Sequence, residues 1–251
     1  MNRGFTLRPE AFGGRTGHGV RVAVIDSGIA SGHPHVGRVG PGVWIRPDGL
    51  NRDASDALGH GTAVAAAIRE KAPDAELIPV RVFDRTLATT AAALCDAIAW
   101  SASAGAKLIN LSLGTRNPAH RLLLEAAMER AEASGSIIVA ALAWEDEPCF
   151  PGSLPGALGV LAAHDCPRDA LQLDSALGSV IYASPFPRPI PGVPVEANLS
   201  GVSFAVANAT GLLACLVEGE PGVRSAAGLR DLIASLASPM AGSRAKIEDP
   251  V

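Results

Sequence analysis

The chain has 251 residues, 48% of them hydrophobic and 18% charged, with a formal net charge of −4 at pH 7. There is enough apolar material for a sizeable core, and the lack of any basic run argues against nucleic acid or an anionic membrane as main partner. The longest apolar runs, such as Ile137 to Trp144, are far too short to span a bilayer.

The opening from Met1 to Gly19 is polar and Gly-rich, without the apolar region of a secretion signal. Val20 to Asp26 is a β-branched run ending in Asp-Ser-Gly. It reads as a buried parallel strand whose carboxyl end carries the aspartate, the end at which ligands collect in open α/β sheets. Gly32 to Asp56 is rich in turn residues and reads as loop. From His60 a helical pattern runs through Val64, Ala65, Ala67 and Ile68 and stops before Pro73.

Leu77 to Phe83 reads as a second strand, Thr89 to Ala104 as an Ala-rich helix and Lys107 to Leu113 as a third strand. Pro118 sits near the first turn of the next helix. That helix has an expected apolar face of Leu122, Leu123, Ala126 and Met128, and Gly135 as C-cap. Ile137 to Leu142 and Leu158 to Ala162 read as strands four and five. Arg168 to Ser200 is Pro-rich and irregular, with strand-like pieces near Val180-Ile181-Tyr182. A buried helix opens at Gly201-Val202-Ser203-Phe204-Ala205, and an amphipathic helix follows from Ala226 to Leu236. Strands alternating with helices predict an α/β fold, a doubly wound, mostly parallel sheet with helices on both faces, here one domain over 1–251 with no prodomain.

The four cysteines, Cys95, Cys149, Cys166 and Cys215, form no CxxC pair and have no metal-ligand spacing. Cys95 and Cys215 lie in apolar helical patterns and read as buried thiols, and all four are expected to be free thiols of a reduced, cytoplasmic protein, with no metal and no cofactor expected. His33, His35 and His164 read as loop residues without a role.

Ser203 at a helix start has two uses. It can cap the helix, or it can act as a nucleophile where backbone N–H groups and the helix dipole favour a developing anion. Asp26 and His60 supply its company. A serine hydroxyl is a weak nucleophile until a base takes its proton. Histidine titrates in the right range, and an ionised carboxylate fixes its tautomer.

In these motifs the chain resembles the subtilisin-like serine proteases over about 19–216. Val24-Ile25-Asp26-Ser27-Gly28 is similar to the family's aspartate motif, and Gly59-His60-Gly61-Thr62-Ala63-Val64-Ala65 to its histidine motif. Gly201-Val202-Ser203-Phe204-Ala205 is similar to its serine motif, with Val202 where threonine is usual. Ile109 to Gly114 resembles the family's substrate-lining strand, and Phe150-Pro151-Gly152 with Leu154-Pro155 its Tyr-Pro stretch.

The resemblance implies a catalytic Asp26, His60 and Ser203. It implies an oxyanion site using the Ser203 backbone N–H, and a peptide held in extended form beside Leu111, Ser112, Leu113 and Gly114. It also exposes departures. The family's oxyanion asparagine aligns with Trp144. The loop of Glu145, Asp146 and Glu147 running to Cys149, which in the family forms a wall of the pocket for the residue before the scissile bond, is short and acidic, and Ala207 replaces a proline.

The expectation is a serine endopeptidase acting on an extended peptide or protein, in the cytoplasm and on a particular intracellular substrate. A binding protein that holds peptides without cutting, and an acyl transferase or macrocyclase using the same serine, are the alternatives. At position 144 a ring packed into the space left by the short loop is expected over an indole N–H aimed at the oxyanion.

Overall fold

The computed structural model describes residues 3–46, 48–145, 147–174 and 180–237. Among them runs one large sheet built on β2 (Arg21–Asp26), β5 (Glu76–Arg81), β6 (Leu108–Leu111), β7 (Ile137–Ala141) and β10 (Ala157–Ala162). Flanking these are β1 (Arg3–Leu7), β3 (Val43–Arg46), β4 (Gly49–Asn51), β11 (Leu171–Asp174) and β12 (Val180–Ala183). The strand order is β1-β11-β12-β10-β7-β6-β2-β5-β3-β4. From β12 to β3 every pairing is parallel, and the antiparallel pairs lie at the two edges.

The period of two along a strand decides which helices it meets. Val22 and Val24 join a core under α1 (His60–Lys71), α4 (Val202–Val217) and α5 (Ala226–Ala237). Ala23 and Ile25 face a second core with α2 (Ala91–Ser103) and α3 (Arg121–Ala133). Both faces are covered, which is why these strands read as continuous apolar runs. Each fully buried Val or Leu contributes about 1.5–3 kcal/mol relative to an exposed one. α4 is the extreme case, because every residue from Phe204 to Val217 is buried.

The order places the site. After β2 the chain runs through the β3–β4 hairpin and α1 to add β5 on one side, then returns through α2 to add β6 on the other. The crevice at the carboxyl ends of β2 and β6 is therefore the topological switch point, where ligands bind in open α/β sheets. Asp26 is the last residue of β2, and Ser112 follows the last residue of β6.

Three expectations need correction. Leu122 and Leu123 are 77% and 46% exposed, and the inward face of α3 is Leu124, Ala127, Met128 and Ala131. Three leucines in a row carry no period, and the helix start at Arg121 sets the phase. Leu111 is not at an edge. It is fully buried and pairs with Ile25 of β2 on one side and Ala140 of β7 on the other. The stretch from Gly32 to Asp56 is not all loop, because β3 pairs parallel with β5 and turns back as β4. β1, which pairs antiparallel with β11, was not legible either: a five-residue edge strand carries too little pattern.

Candidate active site

Asp26 is fully buried at the end of β2. Its Oδ1 accepts from the Ser27 backbone N–H at 2.7 Å. His60 opens α1, and its Nδ1 lies 2.8 Å from Asp26 Oδ1 and 3.0 Å from Oδ2. A carboxylate only accepts, so Nδ1 carries the proton and Nε2 presents its lone pair. Burial works against a charged imidazole. The hydrogen bond and charge of Asp26, with the charge of Asp56 behind it, outweigh that and raise the His60 pKa above 6.5.

Two glycines allow this approach. A Cβ on Gly61 would run into the carbonyl oxygen of Gly28 and come within 3.2 Å of the Asp26 Cβ. Gly28 itself adopts a φ of +100°, and a Cβ there would meet the Ala54 and Ser55 carbonyl oxygens. The first turn of α1 and the loop after β2 can be this close only without those side chains.

Asp56, which the sequence reading passed over as a turn residue, ties the same two elements together. Its Oδ1 accepts from Ser27 Oγ at 2.7 Å and from the Leu58 and Gly59 N–H groups at 2.9 and 2.8 Å. Its Oδ2 accepts from the Thr62 N–H at 2.8 Å and from the Thr62 hydroxyl. The Ser27 oxygen in turn accepts from the Gly61 N–H at 2.9 Å. Asp56 thus serves one unpaired N–H of the first turn of α1, that of Thr62, together with the N–H groups of Leu58 and Gly59 that lead into it. Burial pushes its pKa up, but bonds from Thr62, Leu58 and Ser27 prevail and hold it below the usual carboxylate range.

Ser203 stands in the first turn of α4. The N-cap is Gly201, with no side-chain capping bond, so the Ser203 hydroxyl is not spent as a cap. It donates to the Ser112 carbonyl oxygen at 3.1 Å, and the Ser112 hydroxyl donates to the Ser203 carbonyl oxygen at 3.0 Å. Behind them lies a buried polar chain. Asn110 Nδ2 donates to Ser112 Oγ at 3.0 Å, and Thr210 Oγ1 donates to Asn110 Oδ1 at 2.9 Å.

His60 and Ser203 line one cavity of about 310 Å³, with Ser112, Leu113, Gly114, Trp144 and Cys149 among its walls. The sheet partners of β6 stop at Leu111, so Ser112, Leu113 and Gly114 run past the sheet along the cavity, whereas Leu111 does not line it. Gly114 packs on Cys149, leaving no room for a Cβ beside its Sγ. Burial raises the Cys149 pKa, so it is a neutral thiol at pH 7 and no rival nucleophile.

Trp144 is 57% exposed at the rim. It belongs to a tight hairpin, β8 (Ala143–Trp144) with β9 (Glu147–Pro148). Arg116 sits over its ring at 5.2 Å while pairing with Glu147 at 3.0 Å and Glu145 at 3.7 Å. The expected packing of the ring into the space left by the short loop is not found. A two-residue strand beside a tight turn keeps the side chain at the surface, under a guanidinium. Asp146 lies outside the described residues. Among the described residues no group of three or more His, Cys, Asp or Glu side chains is placed to hold a metal ion.

A model of the subtilase family matches residues 17–247. Thermitase of Thermoactinomyces vulgaris is 30% identical over an alignment of 252 residues, covering 94% of this chain and 87% of thermitase. Subtilisin E of Bacillus subtilis (strain 168) is 30% identical over 214 residues, covering 79% of this chain and 53% of that protein, so the chain spans about half its length. Among solved structures, a cold adapted subtilisin-like serine proteinase superposes with a TM-score of 0.69 at 23% identity, covering 88% of this chain and 83% of its own. Sphericase superposes with a TM-score of 0.69 at 24% identity, covering 86% and 82%.

Proposed function

The chain belongs to the subtilase family and is a subtilisin-like serine protease, and from that premise we propose that it cuts within peptide chains through a triad of Ser203, His60 and Asp26. The observation that carries the reading is the pairing of His60 Nδ1 with buried Asp26 at 2.8 Å, with the free face of the imidazole in the same cavity as Ser203.

In the proposed reaction the Ser203 hydroxyl rotates about its Cα–Cβ bond from the Ser112 carbonyl to His60 Nε2. Ser203 Oγ then bonds to the substrate carbonyl carbon as its proton passes to Nε2. The oxyanion meets the Ser203 N–H at the positive end of α4. The C–N bond breaks, and the leaving nitrogen takes the proton back from Nε2. Water repeats the steps on the acyl-enzyme and frees Ser203. The acyl half of the peptide lies extended beside Ser112, Leu113 and Gly114.

We place this activity in a reducing compartment, on a particular intracellular peptide or protein. In support, all four cysteines sit as buried thiols. The test of function is peptide-library cleavage by the purified protein, with Ser203→Ala as control. Cleavage absent from both would remove the protease reading.

A second reading, peptide binding without cutting, draws on Trp144 standing in sequence where the family's oxyanion asparagine is expected and on the Ser203 hydroxyl being held by Ser112. A serine-directed fluorophosphonate separates the two, because it labels Ser203 only where His60 activates it.

A further inference from the structure

We propose that a basic groove at the far end of α1, lined by Arg38, Arg69 and Arg188, is an exosite that binds the carboxylates of an acidic peptide segment. The binding stands apart from the triad, and only its use on a substrate rests on the protease reading above. The groove encloses about 530 Å³ between the loop of Pro34 to Arg38, the last turn of α1 and Arg188. The sequence has no basic run and a net charge of −4. The fold nevertheless gathers these three distant arginines onto one concave surface, where a single sign of charge focuses the field. At about 1.5 Å per residue along α1, Arg69 lies about 13 Å beyond His60. An extended chain covers that distance in about four residues. Arg188 and His35 line both this groove and the space beside Gly59, Thr62 and Ala63, the neighbours of His60. The path from the leaving nitrogen, which His60 protonates, to the groove is therefore continuous. The acidic residues it selects lie about four or more positions after the scissile bond.

The groove's own acidic residue is already engaged. Glu70 Oε1 accepts from Arg168 Nη1 at 3.1 Å, and its Oε2 accepts from Lys71 Nζ at 2.7 Å and from Arg168 Nη2. Asp74 reaches Arg69 only through its charge. Among the described residues no ion pair joins Arg38, Arg69 or Arg188 to a carboxylate. The three guanidinium groups differ in role. Arg69 Nε donates to the Val36 carbonyl at 2.9 Å, Nη1 to those of Pro73 and Ala75 at 2.7 Å each, and Nη2 to that of Arg38 at 3.2 Å. It pins the 34–38 loop to the end of α1 and leaves its charge without an anion in the groove wall. Arg38 is exposed, and its side chain donates to no group among the described residues. Arg188 is half-buried and makes one side-chain contact, Nη1 to the His35 carbonyl at 3.3 Å, so most of its fork is open. Two open guanidinium forks, held on a loop and a segment that a third arginine steadies, match a pair of carboxylates, which arginine binds bidentately.

The test first measures binding to the Ser203→Ala protein by fluorescence anisotropy, using labelled peptides that end in a block of Glu, Gln or Lys. The Glu peptide should bind about 2- to 30-fold more tightly than the Gln peptide, the range of two exposed ion pairs, and the Lys peptide more weakly than either. The difference should shrink at high salt. It should fall in Arg38→Gln and in Arg188→Gln and vanish in the double variant. Arg38 has no side-chain hydrogen bond to lose, so its variant removes charge without disturbing the fold. Equal binding of the Glu and Gln peptides overturns the exosite, and a preference that survives the double variant overturns its location. A labelled oligonucleotide bound more tightly than the Glu peptide, with the same dependence on Arg38 and Arg188, overturns the assignment to acidic peptide in favour of phosphate. With the wild-type chain, the same blocks are then placed four residues after the cleaved bond, where Glu should lower KM by the ratio seen in binding. Cleavage without that preference overturns the path from His60 to the groove. No cleavage of either peptide, with the binding preference intact, removes the protease reading and leaves the exosite standing.

Discussion

Ser203 and Ser112, 91 residues apart in sequence, hold each other by two hydrogen bonds, each hydroxyl donating to the other's carbonyl oxygen, at 3.1 and 3.0 Å. The pair locks the start of α4 to the end of β6, and Asn110 and Thr210 lock it from behind. The nucleophile's backbone is therefore placed by buried polar contacts, while its hydroxyl keeps one torsion free to turn toward His60. Each such bond contributes about 0.5–1.5 kcal/mol, so the turn is a small step beside the chemical barrier.

Ser203→Ala and His60→Ala should each abolish nearly all turnover, leaving at best the small residue that binding and the oxyanion site sustain. Single-turnover cleavage of a library-selected peptide checks this. Activity unchanged in either variant would exclude the proposed triad.

The acid limb of kcat/KM should have its midpoint above pH 6.5. His60 must be neutral to accept the Ser203 proton, and Asp26 and Asp56 raise its pKa, so the inactive charged form persists to higher pH. The same group acts on stability with the opposite sense. Its contribution is complete below 6.5, the unfolded value, and is lost as pH rises through the folded one. A pH–rate profile of the free enzyme with its midpoint at or below 6.5 would contradict the geometry.

Asp56→Asn keeps the shape but replaces one of its two acceptors with donors, stranding either the Thr62 N–H and hydroxyl or the Ser27 hydroxyl with the Leu58 and Gly59 N–H groups. It should destabilise the fold by about 1–3 kcal/mol, read in chemical denaturation. Because the charge of Asp56 raises the His60 pKa, the acid limb should also move to lower pH. A loss of stability with an unmoved limb would leave Asp56 a purely structural residue.

Substitutions at Trp144 test the proposed oxyanion site. Loss of one donor costs about 10²–10³ in kcat, a range set by subtilisin itself, a relative of this chain. With the ring at the rim beneath Arg116, Trp144→Phe should be nearly silent and Trp144→Asn should raise kcat. A fall of two or more decades in Trp144→Phe would make the indole N–H the missing donor.

The parts of the fold legible in sequence are those where one physical demand dominates. Val22 to Ile25 is apolar throughout because helices cover both faces. Gly28 and Gly61 are motif residues because two backbones meet there with no room for a Cβ. Asp26, His60 and Ser203 announced themselves through those same motifs. What stayed hidden depends on partners far along the chain. Asp56 reads as a turn residue until Ser27 and Thr62 are brought to it. Leu111 belongs to the predicted peptide edge by number, and only its pairing with Ile25 and Ala140 removes it.

α4 has no solvent face from Phe204 to Val217, and this governs how the protein fails. A helix with an exposed side can fray or detach while the rest of a domain persists. This one cannot leave its place without opening the core on the α1 and α5 side. The amide protons of its interior should exchange with solvent only when the core around it opens, and Ser203, carried on its first turn, keeps its position while that core holds.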